Sequence, residues 1–123
     1  MSVPEMKENA DGSKVWWLNG NRHRTDGPAV EWPNGTKEWW LNGKRHRTDG
    51  PAVEWSTGSK AWYLNGEHHR TDGPAIEWST GTKEWRLNGN VVTWFEVYCY
   101  NLRTGDIETA ERILAISNKE KNC

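Results

Sequence analysis

At 123 residues with a formal net charge of −1, the chain has room for one domain but not for two ordinary ones. That balance excludes a bulk electrostatic pull toward nucleic acid or anionic membrane. A hydrophobic fraction of 34% and a mean hydropathy of −0.98 would fit disorder, but the ten Trp oppose it. Each buried indole hides roughly 150–250 Å², on the order of 4–6 kcal/mol as an upper bound. The expectation is a folded, flat or elongated object whose core is mainly indole. Cys99 and Cys123 form neither a disulfide framework nor a metal-ligand spacing. The opening MSVPEMKENADGSK carries no apolar run, and no stretch approaches the roughly 20 apolar residues of a membrane span. These features lead to the expectation of a soluble protein of a reducing, cytoplasmic compartment.

In chain order, the first element is a fragment: Glu8, Asn9, Ala10, Asp11 and Gly12 align with the tail of a longer unit, giving a half repeat over 1–13. Full units follow at a period of 23 residues. WWLNGNRHRTDGPAVEWPNGTK begins at Trp16, WWLNGKRHRTDGPAVEWSTGSK at Trp39, and WYLNGEHHRTDGPAIEWSTGTK at Trp62. A partial fourth unit opens at Trp85 as WRLNGN and then departs from the pattern. Within a unit, an alternating strand such as Lys37–Leu41 puts Trp39 and Leu41 on one face and Glu38 and Trp40 on the other. Asn-Gly follows it at Asn19-Gly20, Asn42-Gly43, Asn65-Gly66 and Asn88-Gly89. This dipeptide suits a two-residue type I′ hairpin turn, where both positions need positive φ. A polar return leads through Asp-Gly-Pro, which should bend it, to a second strand such as AVEW after Pro51. A further turn (Pro33-Asn34-Gly35 and its equivalents) opens the next unit. The expected fold class is mainly β: an antiparallel meander of β-hairpin repeats in a single elongated twisted sheet.

Positions that do not vary between copies are Trp16, Trp39, Trp62 and Trp85, with Leu18, Leu41, Leu64 and Leu87 two residues on. Val30, Val53 and Ile76 with Trp32, Trp55 and Trp78 persist in the returning strand. These are assigned to the core face. Val15, Trp17, Glu38, Trp40, Ala61, Tyr63, Glu84 and Arg86 vary and are assigned to the outer face.

After the repeats, assigned to 1–92, residues 93–123 read as a helical cap. Thr93 and Glu96 form a capping box, with Val92 placed to staple it. Trp94, Tyr98 and Leu102 share a helical face. Thr104-Gly105 stops that helix, and Asp106 caps a second one from about Ile107 to Ser117, with Ile107, Ala110, Ile113 and Leu114 on its apolar side. A repeat array needs its open edge covered. These one or two helices serve as that cover or as a docking surface.

The pattern W-x-L-N-G-K-x-H with a later D-G turn resembles the MORN repeat over about residues 8–90, in the variant form found in bacterial and phage proteins. Three near-identical copies carry the motif. The chain departs from the common form in having Trp where Tyr is usual, and Arg24, Arg47 and Arg70 after the His where Gly is usual. The next Gly (Gly27, Gly50, Gly73) also comes one residue late. The resemblance implies a scaffolding or contact role. Some bacterial members of the variant group are antitoxin or immunity proteins, which implies capture of a toxin or host factor.

Two sets of residues compete as sites. His23, His46 and His69 recur with Arg24, Arg47 and Arg70 and with Asp26, Asp49 and Asp72. Successive copies should lie two strands apart, roughly 9–10 Å, too far for a shared metal with Zn–N bonds of about 2 Å. These residues are therefore read as structural, as are Trp16, Trp39, Trp62 and Trp85. The candidate partner-binding residues are the outward Trp17, Trp40 and Tyr63, which form an aromatic ladder, together with Arg86, Arg22 and Arg45. Trp, Tyr and Arg dominate protein-binding hot spots. No nucleophile–base pair, phosphate-cradling loop, metal site or cofactor site stands out, so no enzymatic activity is expected. The leading expectation is a binding module for another protein. The alternative is a small-ligand or glycan binder using the aromatic ladder. A homodimer through a sheet edge or the C-terminal helices is also compatible with the sequence.

Overall fold

A computed structural model describes residues 3–121. Cys123 and the first two residues of the half repeat lie outside them. The chain opens with β1 (Glu5–Glu8), which lies antiparallel to β2 (Lys14–Leu18). After the Asn19-Gly20 turn come the short return β3 (Asn21–Arg22) and, past the bend, β4 (Val30–Glu31). The second unit supplies β5 (Lys37–Glu38), β6 (Trp40–Leu41), β7 (Lys44–Arg45) and β8 (Val53–Glu54). The third repeats this as β9 (Lys60–Ala61), β10 (Tyr63–Leu64), β11 (Glu67–His68) and β12 (Ile76–Glu77). β13 (Lys83–Leu87) and β14 (Asn90–Val92) end the array. The main sheet runs β1-β2-β4-β5-β8-β9-β12-β13-β14 in meander order, with β3 on β2 and the hairpin arms β6–β7 and β10–β11 beside it.

All four Asn-Gly turns have positive φ at both residues, for example 50° at Asn42 and 79° at Gly43, as a type I′ turn demands. The first strand of the middle units is interrupted, however, at Trp39 and Trp62. There the backbone changes partner: Trp39 N–H donates to Ala52 O at 2.7 Å, and Trp39 O accepts from His46 N–H at 3.1 Å. Below the Trp the strand belongs to the main sheet, and above it to its own hairpin. β2 stays continuous because β1 runs alongside through Met6, opposite Trp16.

The register corrects the assignment of faces. Val15 is opposite Val30, Val30 opposite Glu38, Glu38 opposite Val53, Val53 opposite Ala61 and Ala61 opposite Ile76. Directly opposed residues share a face. Among the positions that vary in the first strand, Val15, Glu38 and Ala61 thus sit with the persistent Val30, Val53 and Ile76, and all six are buried. Nor is the core mainly indole. The fully buried apolar groups are Val15, Val30, Val53, Ile76 and alanines such as Ala29, Ala52, Ala61 and Ala75, while no Trp is fully buried. The persistent Trp16, Trp39, Trp62 and Trp85 lie half-buried on the opposite face.

The C-terminal helices are α1 (Trp94–Thr104) and α2 (Ile107–Lys121). Thr93 Oγ1 accepts the Glu96 N–H at 3.2 Å, and Gly105 ends α1 with φ 87°. Asp106 caps α2 through the Thr109 N–H at 3.1 Å. The buried side of α1 is Val97 and Asn101, not Trp94, Tyr98 and Leu102, and Leu102 is exposed. On that side Asn101 Nδ2 donates to the Thr71 carbonyl at 2.7 Å, joining α1 to the third unit. Ala110 and Ile113 are buried as the pattern requires, but Ile107 is exposed.

Candidate functional site

The six candidate binding residues come together in one row across the hairpin arms. The Arg22 guanidinium lies between two indoles, 5.7 Å from the Trp17 ring centre and 5.0 Å from that of Trp40. Arg45 repeats this between Trp40 at 5.1 Å and Tyr63 at 5.5 Å. Tyr63 then meets the His68 ring at 4.1 Å. Arg86 stands where the other units place Trp17, Trp40 and Tyr63, and closes the row. Rings and polar groups alternate because the first strand supplies the ring and the short return strand of the same unit supplies Arg22, Arg45 or His68, at Cα-paired positions (Trp17–Arg22, Trp40–Arg45, Tyr63–His68). The unit stagger then inserts each cation between its own ring and the next. Such contacts contribute about 0.5–1 kcal/mol each where exposed.

Glu38 lies beneath the row and organises its centre. Its Oε2 accepts from Trp32 Nε1 at 2.6 Å and its Oε1 from Trp40 Nε1 at 3.1 Å. Oε1 also accepts from Arg45 Nε and Nη2, both at 3.2 Å. Glu84 plays the same part for Arg86, with Nε at 2.9 Å. Sequence reasoning placed Glu38 on the outer face and gave it no role. The signal available was that the corresponding position reads Val15, Glu38, Ala61, Glu84 through the units. Burial, and secondarily the positive charge of Arg86, lowers the pKa of His68.

The opposite face carries the repeated His, Arg and Asp, and its polar groups are committed to one another. Arg24, Arg47 and Arg70 each lie 3.8 Å from the ring centre of Trp16, Trp39 and Trp62 respectively. Arg47 Nε donates to Asp49 at 2.9 Å, and its Nη1 donates to the Pro51 carbonyl and to Glu54, both at 3.0 Å. Arg24 and Arg70 do the same in their units. Gly50 is glycine for this reason: a Cβ there would lie 2.9 Å from Arg47 Cζ. His23, His46 and His69 each use Nδ1 to accept the N–H of Asn42, Asn65 and Asn88 in the following unit, all at 2.9 Å. Lys14, Glu31, Lys37, Glu54 and Lys60 oppose one another in turn across this face.

Clefts separate successive units on that face. One of them, about 740 Å³, is lined by Trp62, Leu64 and His69 together with Tyr100 and Arg112 of the helices. The helices thus lie against the His–Arg–Asp face and leave the ring–cation row on the other side.

A scan against models of known families finds none that matches the chain, and no curated protein matches it. No helix among the described residues is long and apolar enough to cross a membrane.

Proposed function

We propose that the chain is a non-enzymatic protein-binding module that engages its partner through the row Trp17–Arg22–Trp40–Arg45–Tyr63. The observation that carries this reading is the alternation itself: five side chains of the types that dominate binding hot spots lie in one line. Trp17 is 37% exposed and the others are half-buried. Rings held between guanidinium groups are pre-positioned, so binding orders little that is not already ordered. The opposite face has no comparable surplus, since its arginines are spent on Asp, Glu and carbonyl groups within the chain.

The finer reading is one-to-one capture of a toxin or host factor in the cytoplasm by a bacterial or phage protein. It rests on the likeness to variant MORN repeats. The test is affinity capture from a host lysate, followed by mass spectrometry, with the unaltered chain and with Trp17→Ala plus Trp40→Ala. A stoichiometric complex that the double variant loses, while keeping its far-ultraviolet circular dichroism, supports the reading. Recovery of nothing that the variant removes sinks it.

The small-ligand or glycan reading has less behind it. A sugar would stack on the face of an indole, and in the row guanidinium groups already stand between successive rings. Fluorescence titration with sugars and nucleotides separates the two.

A further inference from the structure

The units differ at one position beneath the ring–cation row, buried in the first three units and half-buried in the fourth. The second unit holds Glu38 there and the fourth Glu84, while the first has Val15 and the third Ala61. Glu38 neutralises Arg45 and satisfies two indole N–H groups. The two units without the carboxylate are the two that leave polar atoms orphaned. Arg22 Nε in the first and His68 Nδ1 in the third are both buried with no hydrogen-bond partner. Lys7 of β1 stands directly opposite Val15, on the same face. Glu5 lies one step along, opposite Trp17, and no ion pair joins it to Arg22 among the described residues.

We infer that the gap beside Arg22 is a carboxylate site, filled in the complex by an acidic side chain of the partner protein, which supplies from outside what Glu38 supplies within the second unit. This rests on the protein-binding reading above and adds the chemistry of the partner. The Arg22 guanidinium is the group the incoming carboxylate meets, with Trp17 and Trp40 as its apolar walls. His68 marks a second polar gap two units further along, about 19 Å at a strand spacing of about 4.8 Å. An extended segment at roughly 3.3 Å per residue covers that distance in about six residues. The occupant is therefore an extended acidic segment with apolar groups between its acids. A nucleic acid fits less well, because Glu38 and Glu84 interrupt any continuous cationic track for a phosphate backbone.

The test uses the full-length ¹⁵N-labelled chain at low ionic strength, reading the indole N–H signals of Trp17 and Trp40 and the Nε–H of Arg22. The probes are acetylated octaglutamate, octaglutamine and an eight-nucleotide oligothymidylate. Octaglutamate should give saturable shifts, with octaglutamine at least tenfold weaker. Arg22→Gln should lower the octaglutamate affinity at least tenfold. Val15→Glu should do the same while the spectrum stays folded, because it builds the Glu38 arrangement into the first unit; should that variant unfold, Arg22→Gln alone decides. Equal binding of octaglutamine, tighter binding of oligothymidylate, or no effect of Arg22→Gln overturns the inference. Lysate capture separates this failure from failure of the parent reading. A partner lost with Trp17→Ala plus Trp40→Ala but kept with Arg22→Gln leaves the binding row standing and removes the carboxylate site. A partner kept by both variants removes both.

Discussion

His46 Nδ1 accepts the backbone N–H of Asn65, 2.9 Å away, and Asn65 belongs to the hairpin turn of the next unit. With the equivalent bonds from His23 to Asn42 and from His69 to Asn88, it ties each unit to its successor at the tip of the arm. A second tie lies at the other end, where Thr36 Oγ1 accepts the Ser56 N–H at 3.1 Å and Ser59 Oγ the Ser79 N–H at 2.9 Å. The recurrence of histidine is thus explained by spacing between units and needs no ligand.

Replacing His46 by Ala removes that acceptor. The Asn65 turn is exposed, so water takes over part of the bond, and the net cost should be about 1 kcal/mol. Thermal unfolding followed by Trp fluorescence should show a midpoint lower by about 4 °C. An unchanged midpoint would show that the bond contributes nothing.

Acid should weaken the array. Burial lowers the pKa of His69 from 6.5, against a smaller opposing effect of Glu67, and burial does the same to His68. With the folded pKa below the unfolded one, their contribution is fully present above 6.5 and is lost as pH falls through the folded values. A protonated His69 also cannot accept from Asn88 at Nδ1. Urea midpoints should fall between about pH 7.5 and about pH 5, and His69→Gln should flatten part of that slope. A slope that the variant leaves intact assigns it to other groups.

Arg47 and Gly50 should fail together. Arg47→Lys keeps the charge but loses the planar fork over Trp39 and the bond to the Pro51 carbonyl. The loss should be about 1–2 kcal/mol, since the Asp49 partner is exposed and contributes little. Gly50→Ala should cost a similar amount by pushing the guanidinium away, and the two changes should be less than additive in a double-mutant cycle. Full additivity would separate them.

Glu38→Ala should be the most damaging single change in the binding row. It removes the acceptor of the Trp32 and Trp40 indole N–H groups and of the Arg45 guanidinium, at about 1–3 kcal/mol, since Trp32 and Arg45 are partly open to water. Glu38→Gln should recover only part of this, because its amide nitrogen is a donor facing donors. Denaturant midpoints for both variants decide the matter, and a fully stable Glu38→Ala would refute the hub role.

The Asn-Gly turns, the period and the Thr93 cap could be read from the sequence because each depends on neighbours a few residues apart. Faces could not be read this way. Alternation correctly separated Trp39 from Trp40, but only the pairing register decides which of them shares a side with Val53, and that register is set by unit stagger. Recurrence of Trp39 suggests a core position, whereas the ring is half-buried and carries the Arg47 guanidinium 3.8 Å from its centre. The members of the binding row were visible one by one. The interposition of Arg22 between rings of two different units was not, since it joins residues that no local pattern links.

The Asn-Gly turns have one more consequence, for chemical ageing. In this dipeptide the glycine nitrogen can attack the preceding side-chain amide and expel ammonia, and water then opens the resulting succinimide to aspartate or isoaspartate. In the later units that nitrogen is occupied: Gly43, Gly66 and Gly89 donate to Arg22, Arg45 and His68 carbonyls at 3.0, 2.8 and 2.8 Å. Gly20 has no full unit before it, and among the described residues no equivalent bond restrains it. Asn19 should therefore deamidate ahead of Asn42, Asn65 and Asn88 on prolonged incubation, as peptide mass spectrometry would record. The first turn of the array is its least durable bond.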